Sequence, residues 1–283
     1  MKILLTGNGG FVGSHLMDAF LKAGHEVIGI DNFSTKNSSP GYVRNHLGAN
    51  KKFRHYSIDL KSKPALEEVF GVEKDIDIVC HQAAFGGVPQ SLLNPVGYYE
   101  NNLIPLINLL RLYPKARYIF ASSSSVYGML SPYALTKKAC EDYLEMSGVN
   151  YIAFRYFNVF GDRQLPGPIV ATMINAVNNG ETVPLYGDTQ RDFTYIKNIV
   201  AGNMRALELL SNPTSLSFIC DLGYGSPTSI SKLAKIIGCE VRQESARDGD
   251  LKYSCANTKD ANLLLGGALT WSLEDGLDDM CVL

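Results

Sequence analysis

The chain has 283 residues, of which 46% are hydrophobic and 19% are charged, and its formal net charge is −2. This length suits one large α/β domain, or a large domain with a smaller cap. Because the charge is close to neutral and forms no long run of one sign, we expect neither a nucleic-acid partner nor a membrane partner. No apolar stretch is long enough to span a bilayer.

Six cysteines are scattered along the chain without any C-x-x-C pair. In a chain of this size that pattern predicts free or buried thiols in a reducing compartment, hence a cytoplasmic protein without a zinc site. The apolar run at Met1–Thr6 is too short for a signal peptide and is typical of a first strand.

Short apolar runs alternate with amphipathic segments through the first 155 residues. The runs predict strands at Lys2–Leu5, Glu26–Ile30, Phe53–Ser57, Ile76–Cys80, Arg117–Ala121 and Tyr151–Arg155. The segments between them predict helices at Val12–Ala23, Pro64–Phe70, Pro95–Leu112 and Tyr133–Met146. The alternation predicts an α/β fold with a doubly wound parallel sheet, which binds its ligands beyond the carboxyl ends of the strands.

The character of the sequence changes beyond residue 157, where glycine, proline and asparagine become frequent and the elements shorter. We therefore predict a first domain at 1–157 and a smaller C-terminal region at 158–283. The second region is expected mainly to bind substrate, with some segments returning to the first domain.

A glycine pattern, G-x-x-G-x-x-G, follows the first predicted strand at Gly7, Gly10 and Gly13. Between a strand and a helix these glycines permit a tight turn and close approach of a pyrophosphate to the helix N-terminus. Asp31 ends the second strand, where a carboxylate binds the adenosine ribose and repels a 2′-phosphate. The pattern favours a dinucleotide-binding domain that prefers NAD to NADP; the alternative is a glycine-rich turn beside a surface aspartate.

Polar or small residues follow the third and fourth predicted strands as well. Asp59, with Leu60, can hold an adenine amino group or can equally be a solvated loop residue. Ala83 and Ala84 let the backbone pass close to a cofactor, and we interpret His81 as a packed, hydrogen-bonded histidine.

The fifth predicted strand leads into Ser122–Gly128, and Tyr133 and Lys137 follow four residues apart on a predicted helix. Residues at that spacing share a helix face, and an ammonium beside a phenol lowers the pKa of the phenol. A serine at the strand end can bridge the phenol and a substrate oxygen. Together they form a base, its tuning cation and a hydroxyl relay for moving a proton off an alcohol.

These motifs resemble those of the extended short-chain dehydrogenase/reductases in the NAD-dependent epimerase/dehydratase family, in particular UDP-glucose 4-epimerases. The matching segments run almost from end to end: Thr6–His15, Asp31–Thr35, Asp59, His81–Ala84, Asn101–Asn102, Ser122–Gly128, Tyr133–Lys137, Arg155–Asn158, Arg191–Phe193 and Arg247–Asp250.

The resemblance implies a role for each matching residue. Tyr133 is the base, Lys137 its partner, and Ser123 the catalytic hydroxyl with Ser124 next in line. The substrate contacts implied are Ser123, Ser124, Tyr133, Asn158, Arg191, Arg247 and Ser254. The implied NAD contacts, besides the glycines, Asp31, Asp59, Leu60, Ala83 and Ala84, are Phe11, Val12, Asn32, Ser34, Asn101, Lys137 and Tyr156.

The implied reaction is epimerisation at C4 of a nucleotide sugar, such as UDP-glucose or UDP-galactose, through a 4-keto intermediate. The Asp-Glu pair of 4,6-dehydratases is replaced here by Ser124 and Ser125, which argues against dehydration. UDP-glucuronate 4-epimerases and decarboxylases share the Arg155–Gly161 block and stay open. Further alternatives are a net oxidoreductase and a protein that binds NAD or a nucleotide sugar without catalysis.

Ser254 and the segment between Tyr127 and Tyr133 bear on which substrate the protein accepts, and two predicted helices bear on whether it forms a dimer. Ser254 lies seven residues after Arg247, where a small residue in this family makes room for a 2-N-acetyl group; it can also be a simple loop residue. The segment between Tyr127 and Tyr133 is roughly fifteen residues shorter than is usual in the family, which predicts a more open cleft.

The predicted helices Pro95–Leu112 and Tyr133–Met146 carry apolar residues on more than one face. This pattern predicts a homodimer, with burial inside a monomer as the alternative.

Overall fold

A computed structural model describes residues 1–212, 215–245, 251–267 and 269–282. The chain divides into two compact units. Unit 1 comprises Met1–Arg155 and Asn203–Cys220, and unit 2 comprises Tyr156–Gly202 and Asp221–Leu283. The functional boundary at residue 157 stays a prediction.

The strands are numbered in chain order. They are β1 Lys2–Thr6, β2 Glu26–Ile30, β3 Phe53–Tyr56, β4 Ile78–His81, β5 Arg117–Ser123, β6 Tyr151–Tyr156, β7 Val159–Phe160, β8 Val183–Tyr186, β9 Gln190–Arg191, β10 Thr194–Tyr195, β11 Ser217–Leu222, β12 Thr228–Ser229 and β13 Val241–Glu244.

The helices are α1 Phe11–Lys22, α2 Pro40–Arg44, α3 Lys63–Val72, α4 Val88–Leu93, α5 Pro95–Leu112, α6 Pro132–Ser147, α7 Ile169–Asn179, α8 Ile196–Ser211, α9 Ile230–Ile237, α10 Thr258–Leu265 and α11 Leu273–Asp279. A short 3-10 helix spans Ser124–Tyr127.

The main sheet has seven strands in the order β3-β2-β1-β4-β5-β6-β11. Strands β1 to β5 pair in parallel, with register Leu4↔Ile28 between β1 and β2 and Leu4↔Val79 between β1 and β4. The chain moves from β1 outward to β3 and then crosses to β4 on the other side. Sheets of this kind place their ligand crevice at that reversal, at the carboxyl ends of the strands. The predicted α/β class with a parallel sheet is confirmed.

Both faces of the sheet are buried. On one face Leu4, Ile28, Val79 and Phe120 form a core cluster with apolar residues of α3, α5 and α6. Their neighbours along the strands point to the opposite face and are also fully buried, such as Ile3. This two-sided burial explains why the strands appear in the sequence as near-continuous apolar runs.

The predicted elements are present, with small shifts at their ends. Helix α5 has the predicted bounds, whereas β4 begins two residues later than expected, and β5 extends two residues further, to Ser123. The short helices α2 and α4 were not predicted, because five or six residues carry too little periodicity.

Unit 2 contains short paired strands: β10 with β7, β12 with β9, and β13 with β8. Across both units, all six cysteines are free thiols. Within the part of the chain that the structure describes, no helix has the length and apolarity needed to cross a membrane.

Candidate active site

The glycine turn between β1 and α1 leaves no room for side chains. Gly7 has φ +73°, and a Cβ atom there would lie 2.8 Å from the backbone nitrogen of Ala83. A Cβ atom on Gly13 would lie 2.0 Å from the carbonyl oxygen of Gly7. Gly10 is the N-cap of α1, whose first turn has neither a side-chain cap nor an acidic residue. The turn therefore offers free backbone N–H groups to an anion.

Asp31 lies at the tip of this turn, although it is 18 residues beyond Gly13 in the sequence. Its carboxylate accepts hydrogen bonds from the backbone N–H of Gly9, at 3.0 Å, and of Phe33, at 2.8 Å. The end of β2 and the glycine turn are thus joined through this carboxylate.

His81, at the end of β4, is buried and packed, as predicted. The Thr6 hydroxyl lies 2.7 Å from its Nδ1 atom and also accepts the Ala83 N–H at 3.2 Å. The ring stacks on Phe120, and burial lowers the pKa of His81 to about 3, with the Lys137 charge acting in the same direction. Through Thr6, the neutral imidazole of His81 helps to hold the segment after β4, which includes Ala83, beside the glycine turn.

Asn102, which the sequence interpretation left without a role, holds the next part of that segment. It accepts the Phe85 N–H at 2.7 Å and donates to the Phe85 carbonyl, at 3.1 Å, and to Thr136, at 3.0 Å. Asn101, the residue assigned to NAD, is half-buried and donates to the Gly97 carbonyl inside its own helix. The sequence feature that could have identified Asn102 as buried is its spacing of four residues from Tyr98 and from Leu106, which are both buried in α5.

Ser123 and Tyr133 meet at the carboxyl end of β5. The Ser123 side chain caps the 3-10 helix, accepting the Ser125 N–H at 3.2 Å. Burial raises the pKa of Tyr133, and a hydrogen bond with Ser123 acts in the opposite direction. Its ring also contacts Tyr98 edge to face. The structure thus brings Ser123 and Tyr133 together at this strand end, and their catalytic roles stay a prediction.

Lys137 is buried one helical turn after Tyr133, and it donates to the Ala121 carbonyl at 2.6 Å. Burial lowers the pKa of Lys137 to about 8, although Cys140 and Glu141 act in the opposite direction. The predicted lowering of the Tyr133 pKa below its usual value by Lys137 is wrong in this structure. Burial of the phenol prevails, because the ammonium is directed at the β5 backbone.

The other NAD contacts assigned from sequence lie near the same edge of the unit 1 sheet or at the start of unit 2. Asp59 accepts the Lys61 N–H at 2.8 Å, and Asn108 donates to the Leu60 carbonyl at 3.0 Å. Asn32 accepts the Ser34 N–H at 3.1 Å. The remaining residues are half-buried: Phe11, Val12, Ala83, Ala84 and Tyr156.

Two of the assigned substrate contacts are joined within unit 2. The Ser254 N–H donates to the Gln190 carbonyl at 3.1 Å, which places Ser254 beside Arg191. Asn158 is exposed, and its carbonyl accepts the Thr194 N–H at 3.1 Å. Arg247, the second assigned arginine, lies outside the described residues.

Asp192, next to Arg191, organises this part of unit 2 and was not singled out from the sequence. Its buried carboxylate accepts the backbone N–H groups of Tyr224, Gly225 and Ala256, at 3.2, 2.9 and 3.0 Å. Burial raises the pKa of Asp192 while these backbone hydrogen bonds act against it. Among the described residues, no group of three or more His, Cys, Asp or Glu side chains could hold a metal ion.

The model of a known protein family, described as "NAD dependent epimerase/dehydratase family", matches residues 3–216. The chain belongs to this epimerase/dehydratase family. It is an NAD-dependent nucleotide-sugar epimerase family enzyme, and its cofactor is NAD.

Relatives of the family with known names agree with this membership. A UDP-glucuronate 4-epimerase of Thermodesulfobacterium geofontis is 32% identical, covering 97% of this chain and 93% of the relative. A putative UDP-glucose 4-epimerase of Methanocaldococcus jannaschii is 32% identical, covering 84% of this chain and 82% of the relative. The solved structure of UDP-glucose 4-epimerase from Thermotoga maritima, with UDP-glucose, has a TM-score of 0.88 at 28% identity, covering 99% of this chain and 97% of that one.

The residues of the glycine turn fit the family's cofactor. The first turn of α1, which directly follows the glycine turn and has no side-chain cap, supplies backbone N–H donors for a pyrophosphate. Asp31 presents a carboxylate at the position where a ribose hydroxyl is bound in such domains.

Proposed function

We propose that the chain is an NAD-dependent 4-epimerase of nucleotide sugars that acts on UDP-hexoses of the glucose and galactose type. The observation that carries the proposal is the hydrogen bond between Ser123 and Tyr133, one helical turn before the buried Lys137. The family match and the 4-epimerase names of the relatives support the same reaction.

Tyr133, as the phenolate, acts as the base that takes the proton from the O4 hydroxyl of the hexose, and as the phenol it later gives the proton back. The Ser123 hydroxyl holds both the phenol and the sugar oxygen, so that the proton has a short path. In the complex with NAD, the positive charges of Lys137, on the same helix face, and of the nicotinamide ring would favour the phenolate, against the burial that raises the pKa of Tyr133 in the cofactor-free protein. The glycine turn and Asp31 would hold NAD, which would supply the hydride acceptor for C4 and the hydride donor to the opposite face of the 4-keto sugar.

NAD is held by the glycine turn and Asp31 in this proposal, and the nucleotide of the substrate by unit 2. Arg191 and Arg247 bind the diphosphate, because guanidinium groups pair with phosphate oxygens through two hydrogen bonds. Asn158 and Ser124 contact the phosphate or the sugar. The other proposed NAD contacts are Asp59, Leu60, Ala83, Ala84, Phe11, Val12, Asn32, Ser34, Asn101, Lys137 and Tyr156.

A UDP-glucuronate 4-epimerase is the second candidate. The relative with that name covers 97% of the chain. The segment Ser123–Ser125 also presents three hydroxyl groups, with Ser123 and Ser125 hydrogen-bonded to each other at 3.2 Å. Hydroxyl donors at this edge suit a sugar that carries a carboxylate at C6.

The reaction is tested by incubating purified protein with UDP-galactose, without added NAD, and following the formation of UDP-glucose. An epimerase converts the substrate to an equilibrium mixture without accumulating the absorbance of reduced nicotinamide. Steady accumulation of that absorbance in a parallel incubation with added NAD would indicate a net oxidoreductase, and the absence of turnover with every UDP-sugar tested would indicate a binding protein.

A panel of UDP-sugars decides the substrate. Turnover of UDP-glucuronate alone would favour the second candidate, and release of carbon dioxide would indicate a decarboxylase. Turnover of UDP-galactose but not of UDP-N-acetylgalactosamine would contradict the role of Ser254 as a small gate residue.

Two variants test the proposed base. Tyr133→Phe is expected to lower kcat at least about 100-fold, because the phenolate oxygen is the proton acceptor. Tyr143→Phe is the matched control on the same helix; its side chain is 38% exposed, and the variant should be unaffected. Unchanged turnover in Tyr133→Phe would contradict the mechanism.

We also propose that the protein is a homodimer through α5 and α6. Apolar side chains on these helices are exposed in the single chain, among them Val96, Ile104, Leu135 and Met146. Exposed apolar surface of this kind is typical of an interface between copies. Sedimentation of the wild-type protein and of an Ile104→Glu variant checks the assembly; a monomeric wild type would contradict it.

A further inference from the structure

Glu141 is a fully buried carboxylate on α6, one turn after Lys137 and two turns after Tyr133. It accepts a hydrogen bond from the Ser122 hydroxyl at 2.6 Å. Arg155 donates to both of its oxygen atoms, through Nε at 2.9 Å and through Nη2 at 2.7 Å. The Arg155 side chain is 20% exposed, so the ion pair is largely shielded from water.

The partners of Glu141 lie on the elements that carry the proposed catalytic groups. Ser122 directly precedes Ser123 in β5, and Glu141 shares its helix face with Tyr133 and Lys137. Because the hydroxyl of Ser122 is bonded to the helix, the end of β5 is tied to α6 beside the point where Ser123 meets Tyr133.

Arg155 holds the other end of the segment that begins at Ser122, which comprises residues 122–127. Its guanidinium lies 4.8 Å from the centre of the Tyr127 ring and is also hydrogen-bonded to the Tyr127 side chain. Tyr127 ends the 3-10 helix that begins after Ser123. One ion pair therefore anchors the segment 122–127 at both ends, with Ser123 between the two anchors.

Stability alone does not explain a buried ion pair at this place. Taking both charges out of water costs free energy, and a well-packed apolar pair of similar volume is often equally stable or more stable. A bidentate arginine–carboxylate pair does, however, fix direction and distance more strictly than apolar packing does. The geometry thus suits a role in alignment.

We propose that Glu141 and Arg155 are positioning residues of the reaction, which hold Ser122 and Tyr127 and thereby set Ser123 against Tyr133. The proposal rests on the proposed function. Glu141 has a second effect, because its charge raises the pKa of Lys137 against the lowering caused by burial. Among the described residues, Cys140 also raises the pKa of Lys137, and the Lys137 charge in turn lowers the pKa of the neutral His81.

The first test is Glu141→Gln, which keeps the shape of the side chain but removes the charge. Misplacement of Ser123 by a fraction of an ångström is expected to lower kcat about 10- to 100-fold, with little change in KM. The alkaline limb of the pH profile of kcat is expected to move to lower pH, because Lys137 loses the neighbour that raises its pKa. The matched control is Asp142→Asn, which removes an exposed ion pair with Lys138 from the same helix and should leave kcat unchanged.

A double variant separates alignment from folding. Glu141→Met with Arg155→Met removes both charges and keeps the volume apolar, so its melting temperature is expected to be at least that of the wild type. Its kcat should nevertheless stay low, since Ser122 and Tyr127 have lost their partners. Wild-type kcat in this variant, or a loss of activity that only follows a loss of stability, would overturn the proposal.

Hydrogen exchange of the peptide 122–128 gives a readout that does not depend on activity. Exchange is expected to rise at least about tenfold in the double variant and not in Asp142→Asn. If the wild-type protein turns over no UDP-sugar, the proposed function fails, while this measurement still decides whether the pair holds the segment. Equal exchange in the wild type and the double variant would overturn the positioning role by itself.

Discussion

The ammonium of Lys137 lies 4.9 Å from the centre of the Phe120 ring, over its face, in the interior of unit 1. Its side chain is only 3% exposed, and burial lowers its pKa to about 8. A cation in this position costs stability, because its loss of hydration is only partly offset by one carbonyl, one aromatic ring and the nearby charge of Glu141. This cost is consistent with the proposed role of Lys137 in the reaction.

Lys137→Met is therefore expected to stabilise the cofactor-free protein by about 1–3 kcal/mol at pH 7 and to abolish turnover. The folded pKa, about 8, lies below the unfolded value of about 10.4. Wild-type stability should thus rise as the pH increases through this interval, and the advantage of the variant should shrink. Urea unfolding at both ends of the interval measures this, with the more exposed Lys138→Met as control. A variant less stable than the wild type at neutral pH would contradict the argument.

Gly13→Ala is expected to weaken NAD binding at least about tenfold and to lower stability. The new methyl group would lie 2.0 Å from the Gly7 carbonyl oxygen, which is backbone, so the turn itself must shift. Gly71→Ala is the control, since a Cβ atom at this position in α3 meets nothing within 4 Å. That variant should gain about 0.5–1 kcal/mol from the helix preference of alanine. Calorimetric titration of stripped protein with NAD compares the two; equal affinities would contradict the prediction.

Glu73→Gln is expected to remove about 1–3 kcal/mol of stability at neutral pH. Burial opposes ionisation of Glu73, but hydrogen bonds from Arg54, Tyr56 and Lys2 outweigh it and lower the pKa to about 2. Arg54 is 43% exposed, so solvent screening keeps the magnitude moderate.

The pH dependence of this contribution has a definite sign. Because the unfolded pKa is about 4.3, the contribution of Glu73 is fully present above that pH and is lost as the pH falls toward 2. The wild type and Glu73→Gln should therefore converge in acid. Denaturant unfolding over this range tests it, with the exposed Glu67→Gln as control. A constant difference between wild type and variant would exclude the linkage.

Asp279→Asn is expected to loosen α11 in unit 2. The carboxylate receives Lys197 at 2.7 Å and Tyr195 at 2.5 Å, and these hydrogen bonds lower the pKa of Asp279. Lys197 also lies 4.3 Å from the centre of the ring of Trp271, the sole tryptophan. Tryptophan emission should therefore change in Asp279→Asn and, in the wild type, only below the ordinary aspartate pKa of about 3.9. The neighbouring Asp278→Asn variant should leave the emission unchanged. The same change in emission in both variants would contradict the role of Asp279 in holding α11.

The helices and strands were predictable wherever their signals are local. Helix α5 has its predicted bounds because Asn94 caps it, Pro95 suits its first turn and apolar residues repeat with helical spacing. The end of β5 was placed two residues early, because Ser122 and Ser123 are polar and look like loop residues. Their burial against α6 makes them part of the strand.

The local sequence does not show which of Asn101 and Asn102 is buried, or which residue a charged side chain pairs with. Asn102 is buried and Asn101 half-buried because α5 presents one particular face to the Phe85 segment. Glu141 and Arg155 are 14 residues apart on different elements, and only the packing of α6 on the sheet brings them together. Asp192 likewise gains its three backbone partners from distant loops.

The sequence by itself determined the parallel α/β fold, the glycine turn, Asp31 and the order Ser123, Tyr133, Lys137. These features depend on side-chain periodicity, on conformations open to glycine and on positions a few residues apart. The tertiary structure decided where the charges lie: Lys137 over Phe120, and Glu141 between Ser122 and Arg155. Burial and hydrogen-bond partners set the cost and the pKa of a charged group, and both arise only when distant segments pack together.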